Sequence, residues 1–297
     1  MAQLIFASSN IATYIHLTFM SLITVCLCFF LCFIVVVFSI FFTSPQLREN
    51  ARYILFVYML VNDTFFLLSG FTVLVGAIYF LYIPVPVCYI LNAVSFLTFR
   101  VTPTTLAAMA LEKYIAICYP LRHKDLCTTQ RANVAFILIC TTQIIPNAAD
   151  LGLMASSFRT TFNISIICRK ENLFVNPLQN VLRSLSFALC YVLVAIIILF
   201  TYIKISMVAH RVSSQSSNAS KARRTILLHT FQLLLCTMSL LSTFTDALPA
   251  SQAMFLPGFN FLVFSCVPRF LSPVIYGIRD EYLRGLIKKS LTRQFKN

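Results

Sequence analysis

The stretch Met109-Ala110-Leu111-Glu112-Lys113-Tyr114-Ile115-Ala116-Ile117-Cys118-Tyr119-Pro120-Leu121-Arg122-His123 decides how the rest of the chain is read. An apolar run with few charges leads into it. It then breaks into acid, base and aromatic at Glu112-Lys113-Tyr114 and ends in Pro120 and a basic cluster. That is the pattern of a membrane helix reaching the water interface. Pro120 cannot continue the helical ladder, and the cationic side chains hold the helix end in the headgroup layer.

Composition extends the same reading to the whole chain. Of 297 residues, 59% are hydrophobic and only 11% charged, with no Trp and 6 Gly. A soluble domain has about 25% charged residues. Long runs nearly free of charge predict an all-α membrane protein, a single bundle of about six to eight spans with no room for a soluble domain. The first apolar block has the length of a full span and lacks a basic leader and a small-residue cleavage site, so it reads as a retained helix. Most of the 11 Cys, among them Cys26, Cys28, Cys32, Cys140, Cys190 and Cys236, lie in apolar runs and suit small buried hydrophobes. None has metal-ligand spacing with His, so neither a metal nor a cofactor is expected. The four His are scattered and no nucleophile set is visible, which argues against an enzyme.

Residues 1–297 read as one domain with spans at about 13–43, 52–81, 87–118, 132–155, 180–208, 224–246 and 254–278. Ser44-Pro45, Pro84 and Pro86 mark turns, and the polar run Ser213–Ser220 marks a loop. A helix at about 280–292 carries Leu283, Leu286, Ile287 and Leu291 at helical spacing with a basic polar face, which predicts an amphipathic helix lying on a membrane surface. Of the 23 Lys and Arg, 17 fall on one side of these spans. Four (Arg159, Arg169, Lys170 and Arg183) fall on the other, and Arg100 and Arg269 lie within spans. The positive-inside rule then places the N-terminus outside and the C-terminus in the cytoplasm. The net charge of +14 becomes a topology signal and an attraction to anionic membrane lipid, not a sign of nucleic acid. No repeat halves with broken helices and no charged pore ring appear, which disfavours a channel or transporter.

Charges inside spans are costly and are usually paired or functional. Asp63 sits mid-span in Asn62-Asp63-Thr64, and Arg269 lies seven residues before Tyr276, about two turns deeper. The two are expected to form an intramembrane ion pair; separate satisfaction by water or carbonyls is the alternative. Arg100 lies about 18 Å inward from Cys88 at 1.5 Å per residue. Phe96 and Phe99 are its helical neighbours, and Pro103 is expected to break the ladder just below. Arg100 suits either a ligand contact or a structural tie. The sequon Asn163-Ile164-Ser165 is the plausible glycan site, since Asn62 is intramembrane and Asn218 falls in a cytoplasmic loop.

The opening stretch resembles the acid-Arg-Tyr signature that ends the third transmembrane helix of rhodopsin-like G-protein-coupled receptors, with Lys113 in the place of Arg. Its longer form, MALEKYIAICYPLRH, is similar to the odorant-receptor version. Ser272-Pro273-Val274-Ile275-Tyr276 resembles the Asn-Pro-x-x-Tyr motif of the seventh helix, and Tyr202 in Phe200-Thr201-Tyr202-Ile203-Lys204 resembles the fifth-helix Tyr of the active-state network. Cys168-Arg169-Lys170-Glu171, Lys221-Ala222-Arg223-Arg224-Thr225 and Pro268–Pro273 look like fish and amphibian odorant receptors. The likeness covers residues 51–291. A fourth-helix Trp, a sixth-helix Pro and a first-helix Asn are missing, which separates the chain from aminergic and peptide receptors.

The resemblance implies a seven-transmembrane helix bundle with a short eighth helix in the plasma membrane. It implies a Cys88–Cys168 disulfide, and an activation set of Glu112, Lys113, Tyr114, Tyr202, Pro273 and Tyr276. It puts Asp63 at the family's sodium-binding position and a ligand cavity at the depth of Phe96, Phe99 and Arg100. The implied function is an odorant receptor that binds a small extracellular ligand and activates a heterotrimeric G protein of the Gs type. A non-sensory receptor of the same fold is the alternative.

Overall fold

The computed structural model describes residues 2–157, 164–173, 177–212, 231, 234 and 256–294. Most of the expected sixth span, Asn163 and Lys221–Thr225 lie outside the described residues. Among those described, five helices are long and apolar enough to cross a membrane: Leu17–Thr43, Ala51–Ile78, Val85–Cys118, Thr129–Ala155 and Pro177–Val208. They fall on the first five expected spans. The chain divides into two compact units, Phe41–His229 and Met1–Ile40 with Thr230–Asn297.

In the larger unit, α2 (Pro45–Arg48) follows α1 (Ala2–Thr43) at once, because Pro45 occupies a first-turn position where its missing N–H costs nothing. Asn50 caps α3 (Ala51–Ile78), its side-chain oxygen accepting from the Arg52 amide at 3.2 Å. The chain leaves α3 through Phe80, whose φ of 52° is unusual for a bulky residue. It then forms β1 (Tyr82–Pro84), which pairs antiparallel with β2 (Ser165–Ile167) so that Ile83 faces Ile166. The Cys88–Cys168 disulfide, with Cα atoms 5.4 Å apart, ties the β2 segment to the first turn of α4 (Val85–Cys118). Val85, Tyr89, Met154 and Leu173 close a buried cluster around it.

Helix α4 is the hub, packing against α3, α6 (Thr129–Ser157) and α7 (Pro177–Val212). It runs unbroken through Pro103. The expectation of a break there is corrected: the helix continues past the proline, packed against α3, α6 and α7. Membrane helices tolerate an internal Pro where neighbouring helices pack against them. Pro120 likewise does more than stop α4. It opens α5 (Pro120–Leu126), with Tyr119 as the hinge at φ −133° and ψ 57°.

In the smaller unit, Phe19 of α1 meets Phe259 edge-on at 6.3 Å, and Phe29 meets Phe270 at 5.5 Å. The expected seventh span is resolved into α8 (Leu256–Asn260), a π-helical turn (Phe261–Cys266) and α9 (Val267–Arg279), which carries Pro273 and Tyr276. Asp280 caps α10 (Glu281–Gln294), accepting from the Leu283 amide at 3.0 Å. On α10, Leu283 is buried, Leu286 and Ile287 are half-buried, and Arg284, Lys288 and Lys289 are exposed.

Candidate functional site

The first functional cluster joins α4, α6 and α7 near the disulfide end. Arg100 is 1% exposed. Its guanidinium donates to the Ser186 hydroxyl at 3.0 Å, to the Gln143 carbonyl at 3.2 Å and to the Asn147 side-chain oxygen. Its Nε is buried with no partner among the described residues. The guanidinium carbon stands 5.2 Å from the Phe187 ring. Arg100 therefore reaches across to α6 and α7, ties three helices together and stacks on α7. Phe96 lies beneath a second guanidinium, that of Arg183, at 4.7 Å. Phe99 packs on Phe66, Phe187 and Tyr191.

Arg183 chelates Asp150, with Nε donating to Oδ1 at 3.0 Å and Nη2 to Oδ2. The Gln179 amide adds a third donor to Asp150 at 3.3 Å. Bidentate geometry is what the planar guanidinium provides and Lys cannot. Asn147 links the parts: it accepts from Arg100, its amide donates to the Ala93 carbonyl at 3.0 Å, and its carbonyl accepts from Tyr89 at 3.1 Å. Among the described residues the cluster holds two guanidinium groups and one carboxylate, and that carboxylate bonds Arg183.

One layer along α4, Asp63 is fully buried and its Oδ1 accepts from the Thr102 hydroxyl at 2.6 Å. Asn62 donates to the same hydroxyl at 2.9 Å and to the Thr98 carbonyl at 2.8 Å. This polar seam locks α3 to α4. Arg269 belongs to the smaller unit, where it is 4% exposed and donates to the Ser265 carbonyl at 3.2 Å.

The third cluster closes the other end of α4. Glu112 and Lys113 are buried there at 7% and 6% exposure. Glu112 Oε1 is bonded to His123 Nε2 of α5 at 2.8 Å. The Tyr114 ring packs edge-on against Phe200 at 5.5 Å and Tyr119 at 5.8 Å. Tyr202 is exposed, and Phe200 is the α7 aromatic that meets Tyr114. Burial pushes the Cys127 thiol up, the Glu112 carboxylate adds to that, and Arg131 opposes it.

Residues 34–276 match the sequence profile described as 7 transmembrane receptor (rhodopsin family). The chain belongs to that family. It is 32% identical to zebrafish (Danio rerio) "Odorant receptor 131-2" over 257 residues, covering 83% of this chain and 78% of the relative. Two human (Homo sapiens) relatives are more distant. "Olfactory receptor 56A4" is 26% identical over 224 residues, 70% of this chain and 69% of the relative. "Olfactory receptor 52A5" is 25% identical over 196 residues, 62% of this chain and 61% of the relative. The seven-helix membrane fold, a small-molecule ligand and G-protein coupling follow from membership of the family, which consists of signalling receptors and not enzymes.

Three features of this rhodopsin-family receptor escaped the sequence reading. Asp150, an acid inside an apolar span, carried the same signal as Asp63 and could have been found by it. Arg183 was counted with the residues flanking the membrane but sits on α7 as the partner of Asp150. His123 read as one more basic residue of the interface. Only the turn at Tyr119-Pro120, which no spacing rule gives, brings it back onto Glu112.

Proposed function

We propose that this receptor is chemosensory: it binds a small odorant within the helix bundle and activates a Gs-type heterotrimeric G protein. The observation that carries the reading is the 32% identity, over 83% of the chain, to a protein named an odorant receptor. The uneven distribution of Lys and Arg supports an outer N-terminus and a cytoplasmic C-terminus in the plasma membrane, with Asn163 as the glycan site. The apolar stripe and basic face of α10 support its lying on anionic inner-leaflet lipid. Glu112, Lys113, Tyr114, Tyr202, Pro273 and Tyr276 form the coupling set in this reading.

Phe96, Phe99 and Arg100 are the proposed ligand contacts. Arg100 is bonded to neutral acceptors among the described residues, which leaves its guanidinium charge suited to an acidic odorant. The test is a panel of odorants as matched carboxylic acid and methyl ester pairs, read by cAMP in cells expressing the receptor. Acids should lose at least about tenfold in potency on Arg100→Gln, as expected for a lost charge-assisted contact, and their esters much less. An equal loss for both would make Arg100 a structural tie only.

A further inference from the structure

We propose that Asn147 is a positioning residue that sets the receptor's selectivity for charge: it aims the Arg100 guanidinium through a neutral acceptor and so leaves that charge for an acidic ligand. The proposal rests on the reading of Arg100 as a ligand contact. Gln143, Asn147 and Asp150 stand four and three residues apart, so they share one face of α6. That face meets Ala93 of α4 and Arg183 of α7, whereas Ile144, Ile145 and Leu151 between and beside them are exposed. Asp150 takes Arg183 through both oxygens of a carboxylate. One turn away, Asn147 takes Arg100 through an amide oxygen. Asn and Asp side chains have the same length and nearly the same shape. What separates the two contacts is that one acceptor carries a charge and the other does not.

The Asn147 amide is held in one orientation. Its nitrogen donates to the Ala93 carbonyl at 3.0 Å, and its oxygen faces Arg100. The partners require that assignment, because a carbonyl only accepts and a guanidinium only donates. The backbone is pinned as well, with the Asn147 carbonyl accepting from Tyr89 at 3.1 Å. Ala93 lies two turns before Arg100 on α4, so the amide bridges two points of the helix that carries the cation. Of the five N–H donors of a guanidinium, three are described as bonded, to Asn147, Gln143 and Ser186. Nε is buried with no partner among the described residues. Arg100 is thus oriented by neutral groups and keeps donor capacity and charge. An anion gains more from such a group than an ester of the same shape does. A carboxylate at position 147 would hold the guanidinium in the same place and satisfy its charge internally, as Asp150 does for Arg183.

The test uses the full-length receptor in cells at matched surface level, with cAMP as the readout. The probes are benzoic, phenylacetic and hexanoic acids, each against its methyl ester. The wild type should favour the acids. Asn147→Asp should cut the acid-to-ester potency ratio by about tenfold or more, the loss expected when a charge-assisted contact is already satisfied. Asn147→Leu removes the acceptor and adds no charge. It should lower the ratio by roughly three- to tenfold through loss of aim, and this reading does not depend on Asn147→Asp reaching the surface. In an Arg100→Gln background Asn147→Asp should take nothing further from the ratio, because the two act through one contact. An unchanged ratio in either Asn147 variant, acids and esters losing potency equally, or a further fall in the Arg100→Gln background would each overturn the proposal. A wild type that responds without favouring acids would overturn the Arg100 reading and this proposal with it. No response to any pair would overturn the receptor reading and both that depend on it.

Discussion

Asp150 and Arg183 show at the scale of single residues how a charge is held inside an apolar bundle. Asp150 is buried and Arg183 half-buried, each bonds the other through two atoms, and Gln179 fills a further site on the carboxylate. Breaking such a pair from one side leaves an uncompensated charge and costs about 3–5 kcal/mol. Asp150→Leu should therefore lower the thermal stability of the detergent-purified receptor sharply, since it removes the carboxylate that Arg183 bonds through two atoms. Asp150→Leu with Arg183→Leu should recover much of that loss. A double variant no better than the sum of its singles would show that the pair is not the unit that matters. Cost per charge made Asp63, Arg100 and Arg269 legible in the sequence, and the same rule applied to Asp150. What the sequence did not carry was geometry: Arg100 looked like a lone cation between Phe96 and Phe99, yet it bonds Gln143, Asn147 and Ser186 on two other helices.

Helices were easier to read than their ends, because twenty apolar residues can hide their backbone from lipid only as a helix. Local chemistry of a few residues set the ends. Phe80 turns left-handed, Pro120 starts a helix as well as stopping one, and α4 runs on through Pro103. The disulfide ties two elements that are 80 residues apart in sequence. Closing so long a loop is worth roughly 2–5 kcal/mol. Cys88→Ser and Cys168→Ser should each cut surface delivery, and the double variant should be no worse than either alone, because one bond is lost in all three. A double variant clearly worse than the singles would mean the thiols act separately. At the far end of α4, Lys113→Ala should abolish G-protein output with surface level intact, whereas Lys113→Arg preserves or raises it through its planar fork of donors. Wild-type output from Lys113→Ala would reduce Glu112-Lys113-Tyr114 to an interfacial anchor.

For the molecule as a whole, sequence and family agree on a bundle whose function depends on charges being satisfied in lipid. Asp63 bonds Thr102 in the larger unit, and Arg269 bonds Ser265 in the smaller one. Pairing of the two remains our proposal from the cost of intramembrane charge. On that view Asp63→Asn and Arg269→Gln each impair surface delivery and the double variant recovers part of it. Receptor output would also be insensitive to replacing sodium with a large organic cation, and a clear sodium dependence would contradict the pair. The central claim, that a small odorant binds this chain and the signal leaves through a G protein, is tested most directly by ligand-stimulated GTP uptake on a Gs-type G protein in membranes carrying the receptor. The account predicts that members of an odorant panel raise uptake in the wild type and that Lys113→Ala at equal receptor level abolishes the rise. No rise with any member of the panel, or a rise that Lys113→Ala leaves untouched, would contradict it.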